Sequence, residues 1–253
     1  MKNEFSIVWS FRNRIDILIE SIKSADKFCP KRVNFCLVDA ASDEDQIRKL
    51  REFCLTIQDR KVRICESAFR TTLWEAWNLG FMLTETRWIV FSSSDVLFTG
   101  DSWLRNIVTA VNSGGEYVLV ENHQVFCVDK KVIPKMGWLD ENYVNGPHAD
   151  TDFYIRASEN NVQRMIVGSE HTIKHGDTEE ETKLRGEGKL KDRLPMDDLK
   201  NEEYFINKWY SAWPGWKHCL TEQHKPHPPT HISQCQRKQT EIDPHPIWTK
   251  KFL

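Results

Sequence analysis

Short apolar runs and helical spacings alternate through the first hundred residues. Phe5–Ser10 reads as a strand, and residues 14–28 place Ile15, Leu18, Ile19, Ile22 and Phe28 on one helical face. Val33–Val38 predicts a second strand ending at Asp39. Ser42-Asp43-Glu44-Asp45 supplies a cap and an acidic first turn for a helix reaching about Ile57. Val62–Cys65 predicts a third strand, residues 72–84 a helix and Arg87–Ser92 a fourth strand. Such alternation predicts a largely parallel sheet covered by helices, whose ligands bind at the carboxyl ends of the strands. The segments expected there are Ser10–Arg14, Asp39–Asp43, Glu66–Arg70 and Ser93–Asp95, and all are polar.

The pattern changes in the second half. Asp101–Asn112 predicts a helix, Tyr117–Glu121 and Gln124–Val128 strands, Asp150–Asn160 a helix, and Val162–Val167 a strand leading to His171 and His175. Residues 177–203 hold ten acidic and six basic residues and are expected to form a mobile loop or lid. Glu202–Trp216 is aromatic and predicted to start as a helix. The last 37 residues carry five His and five Pro and read as an irregular tail.

Composition narrows the classes. A chain of 253 residues with 40% hydrophobic positions can bury a core without disulfides or metal. A net charge of -2 gives no general attraction for nucleic acid or acidic lipid. No run of about 18 apolar residues is present, and Met1–Phe5 lacks a leader-like apolar core. Seven Cys without a Cys-x-x-Cys pair suggest free thiols and a reducing, cytoplasmic setting (host cytoplasm for a viral chain). The excess lies in ten Trp and nine His, gathered towards the C-terminus.

Seven motifs, in order, resemble the GT-A glycosyltransferases of family 2. Residues 5–14 (FSIVWSFRNR) resemble the first strand and donor loop, and Val38-Asp39-Ala40-Ala41-Ser42-Asp43 the Val-Asp-Asp-Gly-Ser-x-Asp turn. Trp77-Asn78-Leu79-Gly80 resembles the Arg-Asn-x-Gly motif, and Ile89–Asp95 the strand entering the Asp-x-Asp motif. Asp150–Arg156 resembles the Glu-Asp helix, His175-Gly176 the late metal-binding His, and Asn201–Trp209 the closing Lys-Trp signature. The departures are Ser93 for the first Asp, Ala41 for Gly, Ala149 for Glu and Trp77 for Arg.

The resemblance implies an α/β GT-A (Rossmann-like) fold with a mixed, mainly parallel sheet sandwiched by helices. It implies a GT-A domain over residues 1–210 and an aromatic and His-rich extension over 211–253. Within the domain, 1–100 would bind the nucleotide sugar and 101–176 the acceptor. It implies transfer of one sugar from a nucleotide-diphosphate sugar, UDP-type, to an acceptor hydroxyl with inversion. Asp95 and His175 would hold Mn2+ or Mg2+, which neutralises the departing diphosphate. Asp150 would be the general base, with Asp152 a second catalytic candidate. Asp39 would accept from a uracil-like N–H, and Ser10, Phe11, Arg12, Arg14, Arg70, Trp74, Asn78 and Ser94 would line the donor.

Other readings of these residues remain. Arg156, four residues after Asp152, suits a helical salt bridge. Trp88 and Trp103 suit the core, Trp74 and Trp77 the donor crevice, and Trp209, Trp213 and Trp216 the acceptor side. His171 rivals His175 as metal ligand. The tail His residues with Cys219 and Cys235 match no zinc spacing. The acceptor expected is a glycan or glycoprotein. The basic, Trp-rich tail favours a hydroxymethylated DNA base instead, as a phage-type enzyme would use. A nucleotidyltransferase or a degenerate sugar-nucleotide-binding module is a further alternative.

Overall fold

The computed structural model describes residues 5–120, 124–143, 148–168, 173–175 and 198–209. The elements run β1 (Phe5–Phe11), α1 (Ile15–Phe28), β2 (Asn34–Asp39), α2 (Glu44–Cys54), β3 (Val62–Glu66), α3 (Leu73–Leu83), β4 (Trp88–Ser93) and β5 (Val96–Phe98). They continue with α4 (Ser102–Asn112), β6 (Tyr117–Val120), β7 (Val125–Asp129), a short 3-10 turn at Lys130–Val132 running into α5 (Ile133–Met136), α6 (Ala149–Glu159), β8 (Arg164–Val167), β9 (Ile173–His175) and α7 (Asp198–Trp209). The last of these corrects the expectation of a loop through residue 203. Residues 177–197, the tail beyond 209 and His171 lie outside the described residues.

Seven strands form one sheet in the order β3-β2-β1-β4-β7-β6-β8, and β5 pairs with β9 in a separate ribbon. Strands β3, β2, β1 and β4 are parallel, as are β6 and β8. Only β7 runs against its neighbours, pairing Trp88–Ser92 of β4 on one side and β6 on the other. The central strands are buried on both faces, which explains their uninterrupted apolar runs.

Helices α1, α2 and α4 cover one face. The stripe Ile15, Leu18, Ile19, Ile22 and Ala25 packs there, with Trp88 and Trp103 in the same cluster. Helices α3, α5, α6 and α7 cover the other face. A capping box starts α3: Glu75 N–H donates to Thr72 Oγ1 (3.2 Å) and Thr72 N–H to Glu75 Oε2 (2.7 Å). No helix among the described residues is long and apolar enough to cross a membrane.

Gly80 lets α3 lie directly on the sheet. A Cβ there would stand 2.3 Å from Val8 Cγ1 and 3.1 Å from Val38 Cγ2. Both neighbours are fully buried and stiff at χ1. Gly80→Ala therefore loses stability although Ala is the better helix former by about 1 kcal/mol. Overpacking costs about 1–3 kcal/mol beyond that gain. The expected fall in Tm is roughly 3–8 °C by thermal denaturation; an unchanged or higher Tm would show that β1 yields freely.

The five described cysteines, Cys29, Cys36, Cys54, Cys65 and Cys127, are free thiols. Burial pushes Cys29 and Cys36 up to about 12, so both stay protonated and unreactive near neutrality.

Candidate active site

The carboxyl ends of β1 and β2 are joined by a dense set of hydrogen bonds. Asp39 closes β2 and is buried. Its carboxylate accepts from Ser42 N–H (3.0 and 3.1 Å) and from the Ser42 hydroxyl (2.5 Å). Asn13 N–H donates to Ser42 Oγ (2.7 Å), Asn13 Nδ2 to Asp43 (3.1 Å), and Asp43 N–H returns to Asn13 Oδ1 (2.8 Å). Arg12 Nε donates to Ala41 O (3.3 Å). Ser42 ties the two loops together, and Asp43 takes the cap position expected in Ser42–Asp45, its side chain bonded to Asn13 and not to the first turn of α2. Burial raises the pKa of Asp39, with nearby Glu66 adding to the rise and the Ser42 hydrogen bonds opposing it.

The turn is unusual at Ala41, which has φ 62. A left-handed L-residue costs about 1–2 kcal/mol, whereas glycine's extra unfolded-state freedom costs about 0.5–1 kcal/mol. Ala41→Gly is therefore expected to stabilise the chain by about 0.5–1 kcal/mol. A Tm rise of roughly 1–3 °C in a thermal shift assay would show it, and a fall would refute the argument.

Phe11 and Ser10 are buried in the end of β1, whereas Arg12 and Arg14 are half-buried in the following loop and Arg70 is exposed between β3 and α3. Phe69, next to Arg70, is also exposed. Ser94 and Asp95 follow β4, half-buried. The β5–β9 ribbon sets Val96 opposite His175, so the backbone brings His175 to within about one strand position of Asp95. Among the described residues no three His, Cys, Asp or Glu side chains gather as a complete metal cluster. Aspartate and histidine are residue types whose oxygen and nitrogen donors suit Mn2+.

Helix α6 feeds β8, which lies parallel to β6, so α6 descends against the strands and its first turn stands at their carboxyl edge. Asp150 occupies that first turn, half-buried, accepting from Thr151 N–H (2.8 Å).

The expected roles of Asp152, Trp74, Trp77, Trp209 and Asn78 need correction. Asp152 has no exposed surface. Its oxygens are taken by Arg156 Nε (2.9 Å), Trp209 Nε1 (2.8 Å) and Lys208 Nζ (2.6 Å). It is held as an ion pair with Arg156 and cannot reach substrate. Trp74 and Trp77 are buried in the core. Trp77 packs on Trp74, Phe91 and Phe126 with ring centroids 5.2–5.3 Å apart, because large aromatic surface gains more from burial than from lining a wet crevice. Trp209 is likewise buried, not an acceptor platform. Asn78 is also internal: its amide donates to Leu139 O (2.8 Å) and Glu141 (2.8 Å) and accepts from Leu139 N–H (3.1 Å). It braces the loop after α5.

Sequence reasoning missed what that loop does. Asp140 is buried and accepts from Lys208 Nζ (2.5 Å), the Tyr204 hydroxyl (2.9 Å) and Asn142 N–H (3.0 Å). Burial alone would raise its pKa, but the Lys208 ammonium outweighs that and holds it below the usual carboxylate range. The Lys-Trp motif was the available signal, although nothing in it marks Asp140 as partner.

The parallel β3-β2-β1-β4 half with the reversed β7, and the polar loops at its carboxyl edge, define a GT-A glycosyltransferase fold. The model of Glycosyl transferase family 2 matches residues 6–165, more than half of the chain. The chain belongs to that family. A comparison with curated protein sequences finds no match. Among solved structures, the mannosyltransferase PcManGT from Pyrobaculum calidifontis, in complex with GDP-Man and Mn2+, superposes with TM-score 0.60 at 11% identity. That alignment covers 98% of this chain and 83% of the other. GalNAc-T7 with UDP, GalNAc and Mn2+ gives TM-score 0.71 at 10% identity, covering 98% of this chain and 56% of that one. TarS 1-349 from S. aureus in complex with UDP gives 0.58 at 14%, covering 87% and 77%. At these identities the likeness is one of fold.

Proposed function

We propose that this chain transfers one sugar from a UDP-type nucleotide-diphosphate sugar to a hydroxyl of a glycan or glycoprotein, with inversion at the anomeric carbon. The observation that carries the reading is the gathering, at one sheet edge, of the Asp39 loops, the Asp95 ribbon and the Asp150 turn. Asp39 would receive the base N–H, with Phe11, Ser10 and Arg70 around it. Arg12 and Arg14 would meet the diphosphate, where a guanidinium pairs with two oxygens at once. Asp95 with His175 would hold Mn2+ or Mg2+, which when bound neutralises charge on the departing diphosphate. Asp150 would take the proton of the attacking hydroxyl. The family, and neighbours solved with UDP, GDP-Man or Mn2+, support the reading. The rival DNA acceptor rests on the tail beyond residue 209, outside the described residues.

The test is a panel of UDP-Glc, UDP-GlcNAc, UDP-Gal, UDP-GalNAc and GDP-Man with and without Mn2+. It is scored by thermal shift and by release of the nucleoside diphosphate. One donor is expected to raise Tm in a Mn2+-dependent way, since binding to the folded state alone stabilises it, and to be hydrolysed slowly. No shift and no release with any donor would overturn the proposal.

A further inference from the structure

Helix α7 lies beyond residue 165, where the family match ends, yet it grips the first turn of α6 on both sides of Asp150. On one side, the Phe205 ring stacks on His148 at 4.8 Å and an interplanar angle of 21°. On the other, Lys208 Nζ and Trp209 Nε1 reach Asp152 Oδ1 at 2.6 and 2.8 Å. Lys208 is itself shared, since its ammonium also reaches Asp140 Oδ2 at 2.5 Å. Both carboxylates are almost fully buried and Lys208 nearly so. Arg156, paired with Asp152, donates further to Met136 O (2.6 Å) and Trp138 O (2.8 Å). The network thus ties α6, the loop after α5 and α7 at one point, and Asn78 continues the tie to α3 through Leu139.

We infer that Lys208 is a positioning residue: by bridging Asp140 and Asp152 it fixes the first α6 turn and so the place of the Asp150 carboxylate. The inference rests on the reading of Asp150 as base. A buried ion bridged by two carboxylates and ringed by Tyr143, Tyr204 and Trp209, each with its centroid 5.7 Å from the ammonium, tolerates little displacement. Such a bridge adds directional constraint more than net stability. A shift of about 1 Å in a reacting group costs on the order of 10²-fold in rate.

The experiment measures donor hydrolysis by the full chain in Mn2+, using the panel donor with the highest rate, well below each variant's own Tm. In Lys208→Met, kcat is expected to fall about 10–100-fold while donor KM stays within about threefold, and Lys208→Arg should restore part of kcat. Where Lys208→Met folds poorly, Asp140→Asn/Lys208→Met removes one stranded carboxylate and should recover Tm without recovering kcat. Wild-type kcat in Lys208→Met or in the refolded double variant overturns the inference. So does a loss confined to KM. Asp150→Asn separates the two readings: if that variant stays fully active, the base assignment fails. If it is inactive while Lys208→Met is not, the positioning role alone fails.

Discussion

Asp150→Asn is expected to lower turnover by about 10²–10⁴-fold while the Mn2+-dependent thermal shift by donor is kept. A positioned general base contributes that much, and asparagine preserves shape without accepting the proton. The fold should be little disturbed. Asp150 is half-buried, and asparagine is also tolerated in a first helical turn. Steady-state rates with the donor chosen by the panel, set beside the donor-induced Tm shift, separate chemistry from binding. Loss of both together would place Asp150 in donor binding, and loss of neither would move the base elsewhere.

The second large effect is expected at Asp95. Asp95→Ala removes the carboxylate that lies between β4 and β5, next to the β5–β9 ribbon. A divalent ion on the diphosphate is worth several kcal/mol of transition-state charge stabilisation. The variant should therefore lose on the order of 10²–10³-fold in rate. It should also need more Mn2+ for half-maximal stabilisation by donor. Conversely, chelation of wild-type protein with EDTA should bring its rate down to that of the variant. An unchanged Mn2+ titration in Asp95→Ala would remove Asp95 from the metal-binding set.

Much of the scaffold was readable from the residues because burial on two faces and burial on one leave different marks. Strands β1, β2 and β4 are buried on both faces and show as unbroken apolar runs. Helix α1 is buried on one side and shows as a stripe. The edge where Asp39 and Asp95 stand followed from the alternation rule. The direction of β7 did not, since an apolar five-residue run pairs equally well either way. The helical start expected at Glu202 is present in α7, but its first turn from Asp198 was hidden for another reason. The helix is held by Lys208 between two carboxylates and by Phe205 and Trp209, so its tract reads as charged and loop-like. Trp74 and Trp77 misled because sequence neighbours place them by the crevice, whereas their ring packing places them under the sheet.

The reversed strand has a consequence for assembly. Strands β6 and β8 reach the β3-β2-β1-β4 part only through β7, whose register from Trp88–Asp129 to Ser92–Val125 is the single ladder joining the two parts of the sheet. The β6–β7 hairpin can form locally, but the sheet becomes continuous only once that ladder closes over a long sequence separation. The ladder is thus the keystone of cooperativity. Its amides should be among the last to exchange with deuterium, and weakening it would let the two parts of the sheet open as separate units.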